Sequence, residues 1–168
     1  MEIKLLMAGT QISSGRTIEN WDFSASNIEI LPDFFGNDLV LSGSLDLRDN
    51  VLRTLPEAFG NIRAACNLEL RGNRLDSLPE NISGLVVGGL LNLRGNLLTS
   101  LPASFGNISH VGHLDLSANR IKSLPESFGK LNMRGNLCVA RPSQKPKPLI
   151  DAFLGVQATQ WESSRDAA

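Results

Sequence analysis

The chain has 168 residues, with sixteen Lys and Arg against seventeen Asp and Glu and a formal net charge of −1. That length suits one ordinary domain, and so even a balance leaves no basic excess to hold a nucleic-acid backbone. No uncharged apolar run approaches the roughly 18 residues of a membrane span, and the steady supply of Leu and Ile argues against disorder.

Residues 1–20 come first. Met1-Glu2-Ile3-Lys4 is acidic at its second position, and the apolar stretch after it is too short for a secretory signal. The expectation is a cytoplasmic protein with reduced thiols. The sequons Asn81-Ile82-Ser83 and Asn107-Ile108-Ser109 then read as chance matches. Leu5-Leu6-Met7 with Thr10 and Ile12 reads as an N-terminal cap or degenerate half repeat.

Residues 21–138 are periodic. Leu45-x-Leu47-x-x-Asn50-x-Leu52-x-x-Leu55-Pro56 recurs as Leu68-x-Leu70-x-x-Asn73-x-Leu75-x-x-Leu78-Pro79. It recurs again from Leu91 to Pro102 and from Leu114 to Pro125, always at a step of 23 residues. Trp21 to Pro32 is a divergent copy 24 residues upstream, with Ser26 where the others have asparagine. Leu131-Asn-Met133-Arg-Gly-Asn136-Leu-Cys138 reads as a final half copy after a step of 17, which predicts a thin last coil.

Physical chemistry accounts for each conserved slot of this repeat. The period of two in Leu45-Asp46-Leu47 puts both leucines on one face of a short strand. Such a strand is not stable alone, but coils stacked about 4.8 Å apart bury one continuous leucine column. Asn50, Asn73, Asn96, Asn119 and Asn136 carry two amide donors and one acceptor, which suits a ladder that satisfies the turn after each strand. Pro56, Pro79, Pro102 and Pro125 stop the strand and start the return. Gly60, Gly84, Gly106 and Gly129 are expected at turns with positive φ.

The pattern resembles the leucine-rich repeat, across about residues 21–138. The Leu-Pro-x-x-Phe-Gly-Asn-Ile segments at 55–62 and 101–108 resemble the Ras-suppressor-like subfamily, which includes the plant intracellular Ras-group proteins. The resemblance implies an α/β solenoid: a right-handed coil with a concave parallel β-sheet and a mostly irregular or short-helical convex side. It also implies non-catalytic protein binding by a scaffold or adaptor.

On the concave face, two columns flank the second leucine of each strand. One is Asp22, Asp46, Glu69, Asn92, Asp115 and Asn132; the other is Ser24, Arg48, Arg71, Arg94, Ser117 and Arg134. The candidate partner-binding residues are Asp46, Arg48, Glu69, Arg71, Asn92, Arg94, Asp115 and Arg134, with apolar help from Val51, Leu90 and Leu97. Asp46 beside Arg48 and Glu69 beside Arg71 read equally as a self-neutralising ladder, and exposed pairs of that kind contribute little stability. Arginine, however, is enriched at interface hot spots and grips carboxylates with two hydrogen bonds.

Residues 139–148 form a Pro/Lys-rich link, residues 149–162 have the apolar spacing of a capping helix, and residues 163–168 read as a frayed tail. His110 and His113 read as loop surface without a third metal ligand. Cys138 reads as a buried thiol in a core leucine slot. With no phosphate loop, hydrolase elbow or nucleophile motif, the sequence predicts no enzyme, no cofactor and no metal. The expected partner is a protein of unknown identity, met by a monomer. The rival reading is the recognition module of a larger signalling or ubiquitin-ligase effector system.

Overall fold

A computed structural model describes residues 19–138. Residues 1–18 of the expected cap at 1–20 lie outside the described residues, as do the link, the capping helix and the tail. The strands are β1 (Trp21–Asp22), β2 (Val40–Leu41), β3 (Leu45–Asp46), β4 (Arg63–Ala64), β5 (Leu68–Glu69), β6 (Val86–Asn92), β7 (His110–Asp115) and β8 (Leu137–Cys138). All pair in parallel within one open sheet.

The principal ladder follows the repeat. Trp21 pairs with Leu45, Leu45 with Leu68, Leu68 with Leu91, and Leu91 with Leu114. Leu45, Leu47, Leu68, Leu70, Leu91, Leu93, Leu114 and Leu116 are all buried, as the period of two requires. Leu52, Leu55, Phe59 and Ile62 fill the same slice from the returning side, and their equivalents do so in later coils. Phenylalanines mark the outer side of the core. Phe35 stacks on Phe59 with centroids 6.2 Å apart, and Phe105 on Phe128 at 6.0 Å, with Ile82 occupying the slot between the two pairs.

Four short 3₁₀ turns, Glu57–Asn61, Glu80–Gly84, Phe105–Asn107 and Glu126–Lys130, make the convex side of the described coils. Pro56, Pro79 and Pro125 precede three of them with extended backbone, the preference that proline's fixed φ supplies. A second parallel ladder follows each turn and was not legible in the repeat. Val40 pairs with Arg63, Arg63 with Val86, and Val86 with His110. Its inward residues Leu41, Ala64, Val87 and Val111 are buried. Opposite Gly112, β6 carries the doublet Gly88-Gly89, and the register shifts there. A side chain on Gly112 would collide with the carbonyls of both.

Three expectations need correction. The last step of the principal ladder is 23 residues, not 17, because Leu114 pairs with Leu137 and not with Leu131. The segment 126–130 forms a full convex turn that seats Phe128 on Phe105, and Met133 then joins the second ladder beside Val111. The last coil is therefore not thin, and the resemblance of Leu131-Asn-Met133 to a strand is local only. The asparagine ladder ends at Asn119; Asn136 is exposed, one residue before β8. Finally, Gly60, Gly84, Gly106 and Gly129 do not have positive φ. A Cβ on Gly60 or Gly106 would strike the next coil at Asn81 O or Ser127 O, so these positions serve close approach between coils. The positive φ column is Ala25, Asp49, Gly72, Gly95 and Ala118, the residue before each ladder asparagine or Ser26.

Candidate functional site

The strand face is built on the asparagine turn, which fixes where each strand ends. Asn96 Nδ2 donates to Leu70 O and Leu93 O, each at 3.0 Å, and its Oδ1 accepts the Leu75 N–H at 3.0 Å. Asn50, Asn73 and Asn119 repeat this arrangement. Each amide thus ties its own coil to the one before it. Ser26 has no such reach; among the described residues its hydroxyl bonds only Ser24 O, 3.1 Å away.

Held in this way, the polar residues of the strands form columns. The first is Asp22, Asp46, Glu69, Asn92 and Asp115, in register from strand to strand. Its sixth place belongs to Cys138, which pairs with Asp115. Asn132 and Arg134, expected on this face, instead flank Met133 in the second ladder, and Arg134 leaves the candidate site. Cys138 is an exposed thiol, not a buried one, as is Cys66. Its place follows from the same 23-residue step that moves Asn136 off the asparagine ladder.

Each acid of the first column has a donor. Asp22 Oδ1 accepts the Ser24 N–H at 2.9 Å, and Asp115 Oδ1 that of Ser117 at 2.8 Å. Bonds from the Ser24 hydroxyl and from its backbone N–H hold the Asp22 carboxyl below its usual 3.8. Asp46 accepts the Arg48 N–H at 3.0 Å and pairs with Arg48 Nε at 3.1 Å. Glu69 does not pair with Arg71, as the sequence had led us to expect. It accepts instead from Asn92 Nδ2 in the next strand, at 2.7 Å.

The second column is Ser24, Arg48, Arg71, Arg94 and Ser117. Arg71 Nη2 reaches back to Asp49 in the preceding coil at 3.5 Å, and both side chains are about half exposed, so the pair is weak. Arg94 is in the equivalent position one coil later. There the residue after its neighbour Arg71 in the preceding coil is Gly72, where Arg71 finds Asp49 after Arg48, and Asn92 stands where Arg48 finds Asp46. Among the described residues Arg94 has no carboxylate partner. Beside it, Ser117 Oγ is shielded from water with no hydrogen-bond partner. Val51, Leu90 and Leu97 are half-buried.

The sequence reading missed a further column, Asn20, Ser44, Asn67, Leu90, His113 and Asn136, one residue ahead of the strand leucines. Asn20 Oδ1 accepts the Ser44 N–H at 2.7 Å, Ser44 Oγ the Asn67 N–H at 3.1 Å, and Asn67 Oδ1 the Leu90 N–H at 3.0 Å. His113 Nδ1 accepts the Asn136 N–H at 3.0 Å, so this nitrogen carries no proton in that bond. The signal was a polar residue recurring at the repeat step. His110 and His113 lie in β7, not in a loop. No group of three His, Cys, Asp or Glu among the described residues could hold a metal ion. An open recess of about 420 Å³, lined by Asn37, Asp38, Val40, Asn61, Arg63 and Gly84, lies beside the second ladder and apart from the strand face. No helix among the described residues is long and apolar enough to cross a membrane.

A family model described as Leucine Rich Repeat matches residues 110–137, from the start of β7 to the start of β8. No curated protein matches the chain. A solved leucine-rich-repeat protein of Leptospira interrogans is similar, at 25% identity and a TM-score of 0.56 over 78% of this chain. This chain spans 33% of that protein, about a third of its length. The repeat match, the solved neighbour and the open sheet of stacked parallel strands together support the fold of a leucine-rich-repeat solenoid.

Proposed function

We propose that the chain is a non-catalytic protein-binding scaffold or adaptor that meets its partner on the strand face. The observation that carries this reading is the pair of polar columns running in register from β1 to β7. They present side chains from five stacked coils on one surface. Repeat arrays recognise partners through extended surfaces of this kind. The candidate residues are Asp46, Arg48, Glu69, Arg71, Asn92, Arg94 and Asp115, and the asparagine amides behind them hold their spacing.

The finer parts of this reading are a monomer, a cytoplasmic location and kinship with the Ras-suppressor-like subfamily. The subfamily assignment draws on the two Leu-Pro-x-x-Phe-Gly-Asn-Ile segments. A role as the recognition module of a larger signalling or ubiquitin-ligase system would use the same face.

The test is a pull-down with the double variant Arg71→Glu, Arg94→Glu. Both residues are exposed, so the circular dichroism melt should stay nearly unchanged while partner capture is lost. Capture retained at wild-type level by the folded variant would move the binding surface off these strands.

A further inference from the structure

Charge is unevenly shared around each coil. Acids fill most of the first strand column, and Glu57, Glu80 and Glu126 open three of the convex turns. The flank where the chain turns away after each strand is different. Residues 94–99 and 117–122 contain Arg94, Arg120 and Lys122 and no acid, although the whole chain has a net charge of −1. Backbone bonds hold these turns in register. Leu97 N donates to Leu75 O at 2.8 Å, Arg120 N to Leu98 O at 2.9 Å, and Lys122 N to Thr99 O at 3.2 Å. Arg74, Leu97 and Arg120 therefore stand in one column, at about 4.8 Å per coil.

Leu97 is at the centre of this flank. It is half-buried, with exposed Arg74 and Arg120 on either side of it in the column, and exposed Lys122 follows in the next coil. Exposed Arg94 lies three residues before it. Between them Gly95 has no side chain and Asn96 is turned inward, so nothing separates Arg94 from Leu97 at the surface. None of the four cations has a carboxylate partner among the described residues. Asp76 and Asp115 border the patch. They accept from the Ser77 hydroxyl and the Ser117 N–H, each at 2.8 Å, and so keep their charge. Counted against the patch, they still leave it two positive charges in excess. Asp49, the other acid of this flank, is engaged by Arg71 at 3.5 Å.

We infer that this flank, centred on Leu97 and framed by Arg74, Arg94, Arg120 and Lys122, binds a segment of a protein partner that carries one apolar side chain among several carboxylates. This rests on the proposed strand-face function, extends that surface onto the turns and names the chemistry of the partner. Complementarity on two counts selects the segment. Its carboxylates meet four cations, three of them arginine forks, and its apolar side chain covers Leu97. A nucleic-acid strand suits the patch less. Four cations give few phosphate contacts, the acids of the first strand column run alongside, and a sugar-phosphate backbone has no aliphatic group to set on Leu97.

The test uses the full chain and a fluorescein-labelled Glu-Glu-Leu-Glu-Glu peptide at low salt, read by anisotropy and by amide chemical shifts. Binding should weaken as salt is added and should shift the amides of residues 94–99 and 117–122. The triple variant Arg74→Gln, Arg94→Gln, Arg120→Gln should weaken it about tenfold. Its circular dichroism melt should stay unchanged, because all three side chains are exposed. Changing the leucine of the peptide to serine should weaken binding about threefold, which tests the Leu97 contact without altering the protein. Arg48→Gln, already matched by Asp46, should change it by less than about twofold. The assignment is overturned if the peptide does not bind, if the triple variant binds it as tightly as wild type, or if the shifts fall outside this flank. Tighter binding of a single-stranded DNA of equal charge would give the flank to nucleic acid and also overturn it. So would self-association of the chain that the triple variant abolishes, since the occupant would then be a second copy. The strand-face reading is judged separately by pull-down. Capture lost with Arg71→Glu, Arg94→Glu but kept with Arg74→Glu, Arg120→Glu leaves the strand face standing and removes the flank.

Discussion

Asn96→Leu tests the asparagine ladder at its centre. The side chain is 3% exposed and makes three short bonds, to Leu75 N–H, Leu70 O and Leu93 O. These losses are unequal. Leu70 O keeps a second donor from Asn73 Nδ2 at 3.0 Å, and Leu93 O keeps one from Asn119 Nδ2 at 2.8 Å. The Leu75 N–H has no such reserve, since its acceptor is Asn96 Oδ1. One fully orphaned donor costs about 1–3 kcal/mol, and each carbonyl reduced from two bonds to one about 0.5–1 kcal/mol. The added apolar side chain returns about 1 kcal/mol. The net expectation is a loss of about 1–4 kcal/mol, measured by urea unfolding followed by circular dichroism. Asn119→Leu should cost less, about 1–2 kcal/mol, because Asn119 is only half-buried. Asn96→Asp keeps the acceptor but turns an anion toward two carbonyls, so it should destabilise more at pH 7 than at pH 4. If Asn96→Leu unfolds within about 0.5 kcal/mol of wild type, the ladder does not hold the coils together.

Three further outcomes are expected. Gly60→Ala should destabilise far more than Gly95→Ala: its Cβ meets Asn81 O, whereas Gly95, with φ of +68°, has nothing nearer than 3.6 Å and bears only the left-handed backbone cost of about 1–2 kcal/mol. The folded-state pKa of Asp22 is lowered, so its contribution is present above 3.8 and is lost as pH falls through the lower folded value. An NMR titration should give a midpoint below 3.8 that Ser24→Ala raises, and an unshifted midpoint would contradict the Ser24 bonds. Cys66 and Cys138 should both react with a thiol reagent in the folded protein, since both are exposed. Protection of Cys138 until unfolding would restore the core position first assigned to it.

The period of the leucines made most of the principal ladder legible. Strict spacing from Leu45 to Leu114 determines the register, and the buried leucines then follow from alternation. The last coil was misread because strand-like spacing is a local signal. Leu131-x-Met133 has it, but the turn at 126–130 and the Phe105–Phe128 stack set the phase of the coil, and both are matters of three-dimensional length. The second ladder was hidden for another reason. Its inward residues, Leu41, Ala64, Val87 and Val111, vary in size, and two-residue strands leave little alternation to see. On the candidate site, the sequence placed Arg48, Arg71 and Arg94 in one column but not their partners. Those depend on neighbouring coils: Arg71 reaches Asp49, and Glu69 is taken by Asn92. The glycines carried a mixed message, because close approach and positive φ both select glycine and only backbone geometry separates them.

Cross-strand proton contacts by NMR test the stacking of 23-residue coils most directly. The account predicts one file of contacts, Leu45 to Leu68 to Leu91 to Leu114 to Leu137, with the Leu116 amide bonded to Cys138 O at the far end. A file that breaks, or that runs from Leu114 to Leu131, would contradict it.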